Sequence, residues 1–118
     1  MIDLDGKPEP TDFDWLADPR RAAIWAAETY LPEAWRGVAF HYQFSNSAGI
    51  KPGLRLHYWF WLDSPKTSSE LRRDFCQRYG RKQFDLAVYN PSQPHYTAAP
   101  IFIRRPDPLV GRRSGSVL

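Results

Sequence analysis

Two aspartates stand one residue apart at the start of the chain, Asp3 and Asp5, in the run IDLDG. Ile2 and Leu4 alternate with them, which is the pattern of a strand with one apolar and one polar face. On such a strand both carboxylates point to the same side. Like charges that close repel unless a cation lies between them, and hard divalent ions accept carboxylate oxygens in this way. A second set of chemical groups lies in LRLHYWFWL, Leu54 to Leu62. Arg55, His57, Trp59 and Trp61 share one face of this stretch. Leu54, Leu56, Tyr58, Phe60 and Leu62 share the other, which is uniformly core-like. A cation and an imidazole in mid-strand mark either a solvated sheet face or a site.

The stretch GVAFHYQFS, Gly37 to Ser45, is the partner that would position them. It alternates Val38, Phe40, Tyr42 and Phe44 with His41, Gln43 and Ser45. With the loop NSAGIKPG it forms a hairpin. A register that sets Ser45 against Arg55 sets Gln43 against His57 and His41 against Trp59. Ser45, Gln43, Arg55 and His57 then make one polar cluster, and Ser47 with the amides near Gly49 adds a cradle for an anion.

The remaining elements are legible from caps and breakers. Asp18 and Pro19 open a helix that ends before Pro32. Thr67 and Glu70 fit a capping box that opens a second helix, with Leu71, Phe75 and Tyr79 on its buried stripe and Gly80 at its end. The arginines on its other side read as a solvated face. Phe84 to Tyr89 reads as a short strand or extended segment carrying Asp85. A polar, Pro-rich loop with Gln93, His95 and Tyr96 follows, and Ile101 to Arg105 reads as a last strand. The order β-α-β-β-α-β predicts an α+β fold, a ferredoxin-like or RRM-like antiparallel sheet backed by two helices.

Composition sets limits. The chain has 118 residues, enough for a single domain, and 42% hydrophobic residues, enough for a core. The opening MIDLD is not a secretory signal, and no apolar run approaches the ~20 residues of a membrane span. Cys76 is alone, so no disulfide framework or Cys-x-x-Cys zinc site exists. These features predict a cytoplasmic setting without a membrane partner. Charge is uneven: the first eighteen residues are strongly acidic, whereas Arg104, Arg105, Arg112 and Arg113 make the end basic. That asymmetry suits an anionic partner.

Asp-x-Asp on the first strand, a His on the third and an Asp after the second helix resemble the catalytic core of the archaeo-eukaryotic primase superfamily. The phrases FSNSAGIKPGLRLHYWFWLDSP and YNPSQPHYTAAPIF look closest to the primase-like N-terminal regions of phage and mobile-element replication proteins. The resemblance covers nearly all of residues 1–118. It implies a single primase-polymerase core, a DNA primase/polymerase-type nucleotidyltransferase that joins nucleotides on a single-stranded DNA template during replication of a phage, plasmid or integrated element. It implies Mg²⁺ or Mn²⁺ held by Asp3, Asp5 and Asp85. It also implies a triphosphate bound by His57 with Arg55, Ser45, Ser47 and Gln43, and a template tracked by Arg104, Arg112 and Arg113. The partners it implies are single-stranded DNA, nucleoside triphosphates and a replicative helicase domain or protein.

One departure is Arg55, which stands where the family usually has Ser two residues before the His. Either Ser45 or Ser47 takes the hydroxyl role, or Arg55 holds phosphate itself. Asp63 competes with Asp85 for the third acid, though its place beside Pro65 suits a turn. The alternatives are a non-catalytic RRM-like module that binds single strands, a degenerate primase remnant, or a nuclease in which Tyr96 is the nucleophile. Because Asp3 lies so near the first residue, the reading also expects a fragment of a longer replication protein, with weak activity in this short form.

Overall fold

The computed structural model describes residues 1–90 and 92–118. Four antiparallel strands form one sheet: β1 (Ile2–Lys7), β2 (Phe40–Phe44), β3 (Leu54–Trp59) and β4 (Ser114–Val117). Two helices, α1 (Pro19–Tyr30) and α2 (Ser68–Tyr79), complete an α+β fold, with short 3-10 turns at Glu33–Trp35 and Leu86–Tyr89. The strand order is β1-β3-β2-β4.

Local chemistry explains each helix end. The Asp18 carboxylate accepts from the Arg21 amide at 3.1 Å, and Pro19 sits at the first helical position, where no amide is needed. In α2, Thr67 and Glu70 satisfy each other's backbone amides in a full capping box. Gly80 ends that helix at φ 77°, a conformation that glycine adopts without strain.

β3 alternates strictly between buried and half-buried residues, so its period-2 pattern is realised. Leu54, Leu56 and Tyr58 are fully buried, together with Leu4 and Phe44 of the neighbouring strands. The helices cover this face. The Tyr58 hydroxyl donates to the Ala23 carbonyl of α1 at 2.7 Å. Phe75 of α2 packs on Trp35, Phe84 and Tyr89, and Trp35 in turn meets Phe60. The hairpin register is the expected one: His41 pairs with Trp59 and Gln43 with His57, and the Ser45 amide bonds to the Arg55 carbonyl at 2.9 Å. On the other side, Asp3 pairs with His57. Between Leu4 and Lys7 the register of β1 shifts, and Gly6 there has φ 66°. Gly53 approaches so closely that a Cβ would lie 2.8 Å from the Gly6 backbone.

Three expectations need correction. Ile101–Arg105 is not a strand. Ile101 and Ile103 are exposed, Arg104 takes φ 62°, and flanking Pro100 and Pro106 cannot donate to a ladder. The last strand is instead Ser114–Val117, in a stretch whose composition reads as loop. Its small residues fit against β2, where a Cβ on Gly115 would meet the Tyr42 hydroxyl at 2.8 Å. Phe84–Tyr89 contains a 3-10 turn in place of a strand, capped by the Asp85 carboxylate, which accepts from the Ala87 amide at 2.8 Å. The sheet order changes accordingly. β1-α1-β2 straddles β3 as in a split β-α-β unit, but β4 lies outside β2, whereas the ferredoxin-like order would place it outside β1. The loop after the turn includes Pro91, which lies outside the described residues.

Candidate functional site

The face of the sheet away from the helices carries Asp3, Gln43, Arg55 and His57. The chain beyond Asp85 rounds the β1 edge and crosses this face: the Tyr89 hydroxyl donates to the Met1 carbonyl at 2.8 Å, and Gln43 Nε2 donates to the Thr97 carbonyl at 2.8 Å. Between sheet and crossing segment lies a cleft of about 390 Å³. Asp3, His57, Asp85, Ser45, Ser47 and His95 all line it.

Asp3 is the most perturbed acid. Burial comes first, then the carboxylates of Asp85 and Asp5, and together they push its carboxyl up to about 7 against a small opposing pull from Arg55. His57 Nε2 lies 3.5 Å from Asp3 Oδ1, longer than a good hydrogen bond. Burial, and then His95, lower the His57 pKa, with Asp5 and Asp85 acting the other way. The imidazole is therefore mainly neutral at pH 7, and its proton can serve as a hydrogen-bond donor to an anion.

The other expected residues divide. Ser45 and Ser47 are on the cleft, with their hydroxyls 3.2 Å apart. Asp5 is exposed and ion-paired to Arg55, which also donates to the Pro52 carbonyl at 3.3 Å. Both belong to the rim of the polar face: they follow the Asp3–His57 and Leu4–Leu56 pairs along the strands and do not line the cleft. Gln43 is buried and committed to Thr97, so it holds the crossing segment. Asp63, the competing acid, lies elsewhere, in a groove with Trp35 and Tyr79.

The arginines near the end of the chain part company. Arg104 is exposed. Arg112 is exposed and donates to the Ala17 carbonyl at 2.9 Å. Arg113 is only 6% exposed, pairs with Asp107 at 2.5 Å and donates to the Ser45 carbonyl at 2.6 Å. It is an internal brace for the loop that carries Ser45, out of reach of a template backbone.

Local patterning did not mark His95 and Gln93 as cleft residues. Their loop is irregular, and only its path back over the sheet brings them there. The visible signal was compositional: Gln, His and Tyr gathered between prolines.

The donor types suit a hard divalent cation, since two carboxylates face one cleft and one of them is largely desolvated without a close cationic partner. Among the described residues, however, no three His, Cys, Asp or Glu side chains are grouped closely enough to form a metal cage. No helix among them is long and apolar enough to cross a membrane.

Comparison with known proteins gives one relative, a protein of Escherichia phage T5 named "Putative replication origin binding protein". It is 37% identical over 65 residues, covering 49% of this chain and 7% of the relative. The chain thus spans a small fraction of that protein's length. No family model matches the chain, and no solved structure matches it.

Proposed function

We propose that this chain is a nucleotidyl-transfer core of the primase-polymerase type, acting on single-stranded DNA in the replication of a phage or related element. The observation that carries the reading is the gathering of Asp3, His57, Asp85, Ser45 and Ser47 on one cleft of the sheet face that the helices leave free. The name of the phage relative supports a replication setting.

Asp3 and Asp85 would hold Mg²⁺ or Mn²⁺, and Asp5 would add negative charge at the rim. A bound divalent ion supplies charge neutralisation at the transferring phosphate and acidifies the attacking hydroxyl. His57 donates to a phosphate oxygen of the incoming triphosphate, and Ser45 and Ser47 present hydroxyl donors beside it. Desolvation around Asp3 strengthens each of these contacts. The test is primer synthesis on a single-stranded template with Mn²⁺. Asp3→Asn and Asp85→Asn should each lower the yield by roughly 100-fold or more, the scale for losing one organised charge-stabilising group.

A second reading is a module that binds single strands without chemistry. The lack of a close three-ligand cluster among the described residues favours it, as does the binding activity in the relative's name. Unchanged DNA affinity after loss of Asp3, Asp5 and Asp85, with no primer synthesis by the parent chain, would decide for it.

A further inference from the structure

A second groove lies beside the cleft, on the far side of Asp85. It is lined by Arg72, Arg73 and Cys76 of α2 and by Arg81, Leu86 and Ala87, and it encloses about 550 Å³. Asp85 lines both this groove and the cleft, so the two adjoin at that residue. Three arginine side chains therefore line a groove that adjoins the candidate transfer site.

The charge is local. Between residues 66 and 82 stand six cations (Lys66, Arg72, Arg73, Arg78, Arg81 and Lys82) against Glu70 and Asp74. This stretch carries +4, whereas the whole chain carries +3. Arg72, Arg73 and Arg81 are all exposed. Arg72 is oriented by the Asn90 side chain, donating to Oδ1 at 2.7 Å. Among the described residues Arg73 reaches only its neighbour Asp74, at 3.9 Å. Among the described residues no acidic partner engages Arg72 or Arg81. Arg113, in contrast, is consumed internally.

We propose that the groove between α2 and the segment Arg81–Ala87 carries the phosphate backbone of a single DNA strand to the cleft of Asp3, His57 and Asp85. The inference deepens the nucleotidyl-transfer reading and rests on it. The groove has no aromatic lining, so its contacts are with phosphate and are independent of base sequence. Adjacency to the cleft at Asp85 argues for a single strand, because a template must arrive there with its bases unpaired. A free triphosphate has the same phosphate chemistry, and the experiment separates the two sources.

The full chain is titrated against a labelled oligodeoxythymidine of about 16 nucleotides, read by fluorescence anisotropy at several salt concentrations. The triple variant Arg72→Gln/Arg73→Gln/Arg81→Gln should bind about tenfold more weakly or worse, with a salt slope shallower by about 2, as expected for three lost phosphate contacts on a single strand. A charge-matched variant, Arg20→Gln/Arg21→Gln/Lys51→Gln, removes three exposed cations outside this stretch and should stay within about twofold of the parent. Arg81→Gln alone, the mildest change, should lose about threefold. Binding of free dTTP should be unchanged in the triple variant. Equal DNA affinity and slope in triple variant and parent would overturn the proposal, as would loss of dTTP binding with DNA binding retained. The failures are distinguishable. If Asp3→Asn abolishes primer synthesis while the triple variant binds DNA normally, the transfer reading stands and the groove proposal falls. If the triple variant alone loses DNA while Asp3→Asn primes like the parent, the groove stands and the assignment of the cleft falls.

Discussion

The two faces of the sheet are built on different terms. Against the helices, Leu4, Phe44, Leu54, Leu56 and Tyr58 are fully buried, and the Tyr58 hydroxyl is satisfied by Ala23. On the opposite face, Asp3 is largely desolvated beside two other carboxylates, and its nearest imidazole is 3.5 Å away. The first face maximises burial and leaves little polar conflict. The second tolerates electrostatics that oppose folding, which is common where groups are arranged for a ligand. Substitutions on the two faces should therefore act in opposite directions on stability.

The largest effect belongs to the covered face. Leu56→Ala removes a fully buried side chain from the central strand and should cost about 3 kcal/mol in urea unfolding, within the usual range for such cavities. A loss under about 1 kcal/mol would mean that this face is loosely packed.

Asp3→Asn should do the reverse. Its carboxyl titrates near 7 in the fold and near ~3.9 in an unfolded chain. Between those values the folded chain holds a proton that the unfolded chain has released. The stability from this group is thus fully present below about pH 4 and is lost as pH rises through 7. The amide has no charge to desolvate, so the variant should be more stable than the parent at pH 8, by on the order of 2 kcal/mol, with the gain vanishing near pH 4. Thermal melts across this range check it, and a variant less stable than the parent at pH 8 would contradict it.

His57→Ala should weaken nucleoside triphosphate binding by about tenfold, the scale of one hydrogen bond to a charged group, and leave Mn²⁺ affinity nearly unchanged. Equal triphosphate affinity in variant and parent would remove His57 from the site. The smallest effect is at a position on neither face. Thr67→Ala breaks the capping box of α2 and should cost about 1 kcal/mol without altering ligand binding.

Much of this contrast was legible in the sequence because it depends on period and register. The alternation in Leu54–Trp59 fixed which residues face the helices, and the hairpin set Gln43 against His57. The caps at Asp18, Thr67 and Gly80 are local chemistry and read directly. What could not be read depends on long-range path. Ile101–Arg105 has the composition of a strand, but its neighbouring prolines and the left-handed Arg104 exclude it, while Ser114–Val117 becomes a strand only because the edge of β2 is free to receive it. The same blindness hid His95 in the cleft and made Arg113 look like a surface cation. The ion pair of Asp5 with Arg55 needs β1 beside β3: continuing the Asp3–His57 and Leu4–Leu56 pairs sets Asp5 opposite Arg55, but that pairing joins residues 50 apart in the chain.

The central claim is that Asp3 and Asp85 act together on one divalent ion, and isothermal titration of Mn²⁺ into the full chain tests it most directly. Binding should be lost in both Asp3→Asn and Asp85→Asn and retained in Thr67→Ala. It should release close to one proton per ion at pH 6, where Asp3 is protonated, and much less at pH 8. Mn²⁺ binding of equal strength in the parent and in both Asn variants would contradict the account.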